Sequence, residues 1–86
     1  MPNATIVYRV KLFAGLKEEA GKDEWVHEGE RILTGRELLQ AFFDQYPARG
    51  KLREVTRVAI NHAFCQQDSS VAPEDEVAFI PPVSGG

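Results

Sequence analysis

The stretch "LTGRELLQAFFDQYP", residues 33–47, reads as a capped amphipathic helix, and the rest of the chain is best read outward from it. Thr34 and Glu37 stand at the S/T-x-x-E spacing of a capping box, in which each side chain satisfies a free backbone N–H of the first turn. Leu33 and Leu38 occupy the two positions of a hydrophobic staple. Leu38, Leu39, Phe42, Phe43 and Tyr46 then recur at helical spacing and make one broad apolar face. Pro47 has no N–H to donate, so the helix is predicted to stop near Tyr46. A helix with one apolar face must bury it against another layer.

The flanking segments supply that layer. On the N-terminal side "TIVYRVKLF", residues 5–13, alternates in strand fashion. Ile6, Tyr8, Val10 and Leu12 share the predicted core face, and Val7, Arg9, Lys11 and Phe13 share the other. A helical turn fits between Gly15 and Gly21, and "EWVHE" follows as a second strand, joined to the first as an antiparallel hairpin. On the C-terminal side "RVAIN" predicts a strand with Val58 and Ile60 inward, and Asn61-His62-Ala63 suits a tight turn. "FCQ" reads as a short return strand. Ala72-Pro73-Glu74-Asp75 places proline where a turn favours it, and "EVAFI" is the last strand, with Val77 and Phe79 inward. The order of strand, strand, helix, then two or three strands predicts an α+β, β-grasp (ubiquitin-like) mixed sheet. One main helix packs on one face, and the two terminal strands lie parallel in the middle.

Composition agrees with one small domain. The chain has 86 residues, 43% hydrophobic and 27% charged, which is too apolar for disorder. A net charge of −3 argues against nucleic acid, which needs clustered cations. One local exception is "ARGKLREVTR", residues 48–57, where Arg49, Lys51, Arg53 and Arg57 meet a single acid, Glu54. It reads as a solvated face or as a docking patch for an acidic partner. A lone cysteine, Cys65, excludes an intramolecular disulfide and fits a reducing compartment. With no signal-peptide pattern at the N-terminus and no long apolar run, the expected location is cytoplasmic, away from membranes.

The division expected is a body of residues 1–80 and a flexible tail, "PPVSGG", of residues 81–86. Pro81 and Pro82 hold the exit from the last strand extended. Six residues reach about 20 Å, at roughly 3.3 to 3.6 Å each. Gly85 and Gly86 carry no side chain, so their backbone can enter a narrow channel and deliver a terminal carboxylate. A carboxylate is a poor electrophile until it is converted to an acyl phosphate.

"DEVAFIPPVSGG" resembles the C-terminus of the molybdopterin synthase small (sulfur carrier) subunits, the MoaD-like family, which is related to ThiS and ubiquitin-like proteins. "VKLFAGLKEEAG" is similar to the family's first strand and following turn, and "VAIN" to its internal strand with the asparagine after it. Residues 22–57 are generic, and Pro73-Glu74 stands where members often have an aspartate-glycine turn. The resemblance implies that an ATP-dependent, MoeB-like activating enzyme adenylates Gly86 and that a sulfur donor then leaves a thiocarboxylate. Pro81, Pro82, Val83, Ser84 and Gly85 would carry Gly86 into the active site of a large, MoaE-like subunit, within a heterotetramer. There the sulfur passes to a cyclic pterin precursor in molybdenum cofactor biosynthesis. The chain itself binds no cofactor, and ATP belongs to the activating enzyme. The resemblance further implies a partner interface at Phe13, Phe64 and Ile80, the last standing where an aromatic is common. Strand parity alone leaves two readings for Phe13, a docking patch beside Ile80 or packing under a loop.

Other residues carry less chemistry. Cys65 has no evident base beside it, and His62-x-x-Cys65 is half a metal motif where a structural zinc needs four ligands. Trp25 reads as packing. The alternatives in function are a carrier for thiamine biosynthesis or another pathway, a ubiquitin-like modifier that attaches Gly86 to lysines, and a plain β-grasp interaction module.

Overall fold

The computed structural model describes residues 5–47, 52–66 and 68–82. Strand β1 (Ile6–Leu12) alternates as expected: Tyr8, Val10 and Leu12 are buried and the residues between them are exposed. It pairs antiparallel with β2 (Glu24–Gly29), with Val10 opposite Trp25. The connection holds a helix, α1 (Ala14–Ala20), two turns long where the sequence indicated about one. Its fully buried Leu16 anchors it to the core. Gly21, at φ 73, ends it in the left-handed conformation that glycine adopts without steric cost, its N–H donating to Lys17 O at 2.9 Å.

After β3 (Leu33–Thr34) the chain enters α2 (Gly35–Gln45) through the predicted capping box. The Glu37 N–H donates to Thr34 Oγ1 at 3.2 Å, and the Thr34 N–H donates to Glu37 Oε1 at 2.9 Å. Arg31 holds the same carboxylate at 2.9 Å from outside. These donors, the Arg31 hydrogen bond first, lower the Glu37 pKa to about 2. The helix buries Leu38, Leu39, Phe42 and Phe43. Phe42 meets Trp25, Phe43 and Phe79 edge-on, with ring centroids 5.2 to 5.6 Å apart. Trp25 is a packing residue whose Nε1–H donates to Gln45 Oε1 at 2.9 Å, so its one polar group is satisfied.

Beyond a short helical turn, α3 (Leu52–Val55), come β4 (Arg57–Ile60), β5 (Ala63–Phe64), β6 (Ser70–Val71) and β7 (Val77–Ile80). The main sheet has the order β2-β1-β7-β4-β5. β1 and β7 are parallel neighbours, Val10 beside Val77 and Leu12 beside Phe79, as the β-grasp reading requires. β4 runs antiparallel to both β7 and β5. The return strand lies one residue earlier than "FCQ" suggested, because Asn61 and His62 (φ 53 and 70) form a two-residue hairpin loop and Ala63 pairs directly with Ile60. A second sheet, β3 with β6, was not legible: strands of two residues carry no periodicity. The buried Tyr8 hydroxyl ties the two sheets together, donating to Val71 O at 2.8 Å and accepting from the Leu33 N–H at 3.1 Å.

Val10, Leu16, Leu38, Phe42, Val71, Val77 and Phe79 have no exposed surface, so the core lies between the sheet and α2. Each such side chain contributes roughly 1.5 to 3 kcal/mol by leaving water. Thr34→Ala should cost about 1 kcal/mol, read as a fall in Tm of about 4 to 8 °C. The folded Glu37 pKa lies below its ordinary value of 4.5, so its contribution is complete above about pH 4.5 and is lost as pH falls toward 2. Thermal unfolding of Glu37→Gln should lack that part of the acid dependence.

Candidate functional site

On the sheet face away from α2, strand register lines up four outward positions. Lys11 pairs with Ala78, Ala78 with Ala59, and Ala59 with Phe64. Two alanines in the middle leave a low floor, and Phe13, Ile80 and Phe64 stand around it. The result is an open depression of about 300 Å³ lined by Lys11, Phe13, Ala59, His62, Phe64, Glu76, Ala78 and Ile80. The three residues singled out as an interface therefore come together on one surface. Phe13 is 45% exposed and Phe64 55%, so neither belongs to the core. For Phe13 the choice between a loop-covered side chain and a wall of the patch is decided for the wall.

The two ends of the trough differ. At one end Glu76 lies between Lys11 Nζ at 3.6 Å and His62 Nε2 at 3.3 Å. At the other, Arg57 lies opposite Ile80 in the β4–β7 register, and its guanidinium sits over the Phe64 ring, 4.3 Å from the centroid. Chain direction makes this the end where the tail leaves. β7 runs from Val77 to Ile80, Pro81 is still buried, and Pro82 is exposed. Val83, Ser84, Gly85 and Gly86 lie outside the described residues, as do Arg49 and Lys51 of the basic segment.

The loop below the trough is held by Asn61. Its Nδ2–H donates to Asp75 Oδ1 at 3.0 Å, and its Oδ1 accepts from the Glu76 N–H at 2.9 Å. Asp75 in turn accepts from the Ala72 N–H at 2.8 Å, closing the turn that contains Pro73. One asparagine thus sets both the hairpin conformation and the start of β7. Cys65 is half-buried, its Sγ–H donating to Ala63 O at 3.2 Å. Among the described residues no cluster of three His, Cys, Asp or Glu side chains could hold a metal, and no helix is long and apolar enough to cross a membrane. Ala59 and Ala78 were missed as site residues, and Arg57 was singled out only as a member of the basic segment. Parity on β4 and β7 marks all three as outward, but their relation to Phe13 needs the parallel pairing.

A profile of the ThiS family matches residues 10–86. The chain belongs to the ThiS family. It is 34% identical over 82 residues to the molybdopterin synthase sulfur carrier subunit of Dictyostelium discoideum, covering 92% of this chain and 95% of that protein. The crystal structure of SAMP1 from Haloferax volcanii superposes with a TM-score of 0.75 at 29% identity, covering 93% of this chain and 99% of that one. A complex of subunits 1 and 2 of the molybdopterin-converting factor from Helicobacter pylori matches at a TM-score of 0.61 and 18% identity, over 93% and 99% of the two chains; this likeness concerns the fold alone.

These placements separate surface from core in this ThiS-family chain. Phe79→Ala should cost about 3 to 5 kcal/mol, whereas Phe64→Ala should change stability by no more than about 0.5 kcal/mol. Asn61→Ala should cost about 1 to 3 kcal/mol, since it removes two hydrogen bonds and the side chain that tolerates positive φ. Denaturant unfolding of the three variants checks the order.

Proposed function

We propose that this chain is a sulfur carrier and that the carboxylate of Gly86 is its reacting group. The observation that carries the reading is the apolar trough of Phe13, Phe64 and Ile80 at the end of β7, where the chain continues into Pro81 and Pro82. A protein that grips the trough receives the tail at a fixed distance. The name of the Dictyostelium discoideum relative supports molybdopterin synthesis as the pathway. In this reading the large synthase subunit is the receiver, within a heterotetramer.

The chemistry needs activation because a carboxylate resists nucleophiles. An oxygen of the Gly86 carboxylate attacks the α-phosphorus of ATP on the activating enzyme, and pyrophosphate leaves. A donor at the oxidation level of hydrogen sulfide then adds to the carbonyl carbon, and AMP departs with the bonding electron pair. The thiocarboxylate sulfur then bonds to a carbon of the pterin precursor as an oxygen leaving group departs from it. Water cleaves the Gly86 carbonyl C–S bond of the resulting thioester, which returns the carboxylate and leaves the sulfur on the pterin. No side chain of the body takes part. The chain is a reagent arm on a rigid handle, not an enzyme by itself.

A second reading, a ubiquitin-like modifier that joins Gly86 to lysines, is favoured by the 29% identity to SAMP1, a small archaeal modifier protein. Intact mass after incubation with ATP, activating enzyme and a sulfur source separates the two. Replacement of one oxygen by sulfur supports the carrier, and lysine adducts support the modifier.

Deleting Gly86, or adding one alanine after it, should abolish sulfur transfer and leave Tm unchanged. The reacting carbon must come within about 3 to 3.5 Å of its nucleophile, and one residue shifts it by up to about 3.6 Å. Pterin conversion at the normal rate by the alanine-extended protein would overturn the role of Gly86. Phe13→Asp should weaken large-subunit binding, because a charge at this exposed position would be buried in the complex. Ile80→Asp should do so too, with some loss of stability because Ile80 is half-buried in the free chain. Circular dichroism checks that both variants still fold.

A further inference from the structure

Arg57 does something at the trough that the other arginines do not. Among those whose side chains are described, Arg9, Arg31 and Arg36 each meet a carboxylate, at 3.6, 2.9 and 2.9 Å from Glu24, Glu37 and Asp68. Arg57 forms no ion pair among the described residues. Its guanidinium lies over the exposed Phe64 ring instead, 4.3 Å from the centroid. It stands beside Ile80, where the chain leaves for Pro82.

Two consequences follow from that placement. The stack restrains a long side chain before any partner arrives, so less of its freedom is lost when a planar acceptor binds. In addition, Arg57 borders the trough through its stack on Phe64 and its place opposite Ile80. A protein that packs on Phe13, Phe64 and Ile80 out to that border removes water from the Arg57 guanidinium as well. A buried, uncompensated charge is strongly unfavourable, so a partner without an acid at this point is rejected. The opposite end of the trough makes no such demand, because Glu76 already lies between Lys11 and His62.

We propose that Arg57 is the polar anchor of this docking surface, and that the protein receiving the tail seats an aspartate or glutamate against it, in the plane of the guanidinium. The inference rests on the sulfur-carrier reading and commits to the large synthase subunit as the occupant. It also gives the basic segment of residues 48–57 a part in docking, since Arg57 is the cation of that segment whose side chain is described, and it borders the trough.

Titration calorimetry with the large subunit from the same organism, at low and at high salt, tests this. Arg57→Gln should weaken binding about 10-fold or more and flatten its salt dependence. Arg57→Glu should weaken it about 100-fold or more, and Arg57→Lys should fall between wild type and Arg57→Gln. Thermal unfolding should be the same for all three, since the side chain is on the surface. If Arg57→Gln binds within twofold of wild type with the same salt slope, while Phe13→Asp does not bind, the trough is the interface and the role of Arg57 is overturned. Loss of affinity with an unchanged salt slope would likewise overturn the ion pair, leaving only packing on Phe64. If the wild-type chain does not bind the large subunit, the functional reading itself falls, and this inference with it.

Discussion

Parallel pairing of β1 with β7 is the constraint on which both faces of the sheet depend. It sets Val10 beside Val77 and Leu12 beside Phe79, four side chains that are buried on the inner face. A parallel pair of terminal strands needs a long crossover, and here the crossover includes α2. The helix supplies Leu38, Leu39, Phe42 and Phe43 to the same core. On the outer face the same pairing brings Lys11 to Ala78, with Phe13 and Ile80 beyond them around the trough. One register thus places the core and the apolar trough together. It also makes the chain leave the body at the end where Phe13 stands.

The body around that pairing is held stiff by satisfied polar groups as well as by packing. Tyr8 carries a hydroxyl into the interior, yet it both donates and accepts there, linking β1 to the small sheet of β3 and β6. Trp25 does likewise through Gln45. Unpaired, either group would be destabilising, whereas paired they specify how the two sheets and the helix meet. Asn61 plays the equivalent part at the surface, joining the β4–β5 loop to the start of β7. In the sulfur-carrier reading this stiffness has a use. The exit point at Pro81 and Pro82 then stands at a set place relative to the trough.

Within the described residues the site is made of ordinary side chains. Two alanines make room, three large apolar groups surround them, and charges stand at both ends. The reactivity in our reading lies in the terminal carboxylate and in the enzymes that activate and receive it. The surface of the body then decides which proteins obtain access to the tail, and it can do so with shape and charge alone.

Several features were determined by the sequence itself because they depend on neighbours along the chain. The capping box of Thr34 and Glu37, the stop before Pro47, the alternation of β1 and β7 and a turn over Asn61-His62-Ala63 are local, and all appear in the structure. The turn is shortened to Asn61-His62 because Ala63 pairs within β5. The resemblance carried by "DEVAFIPPVSGG", "VKLFAGLKEEAG" and "VAIN" points to the family from sequence alone. Tertiary structure decided what local pattern leaves open. Alternation shows that Phe13, Arg57, Ala59, Ala78 and Ile80 point outward, but not that they meet, since that requires the register between strands far apart in sequence. The two-residue strands β3 and β6 were invisible because nothing repeats within them, and the helix α1 was underestimated because the buried contact of Leu16 holds it. The stack of Arg57 on Phe64 joins two strands across a register that no local signal encodes, and it exists only because the sheet is folded.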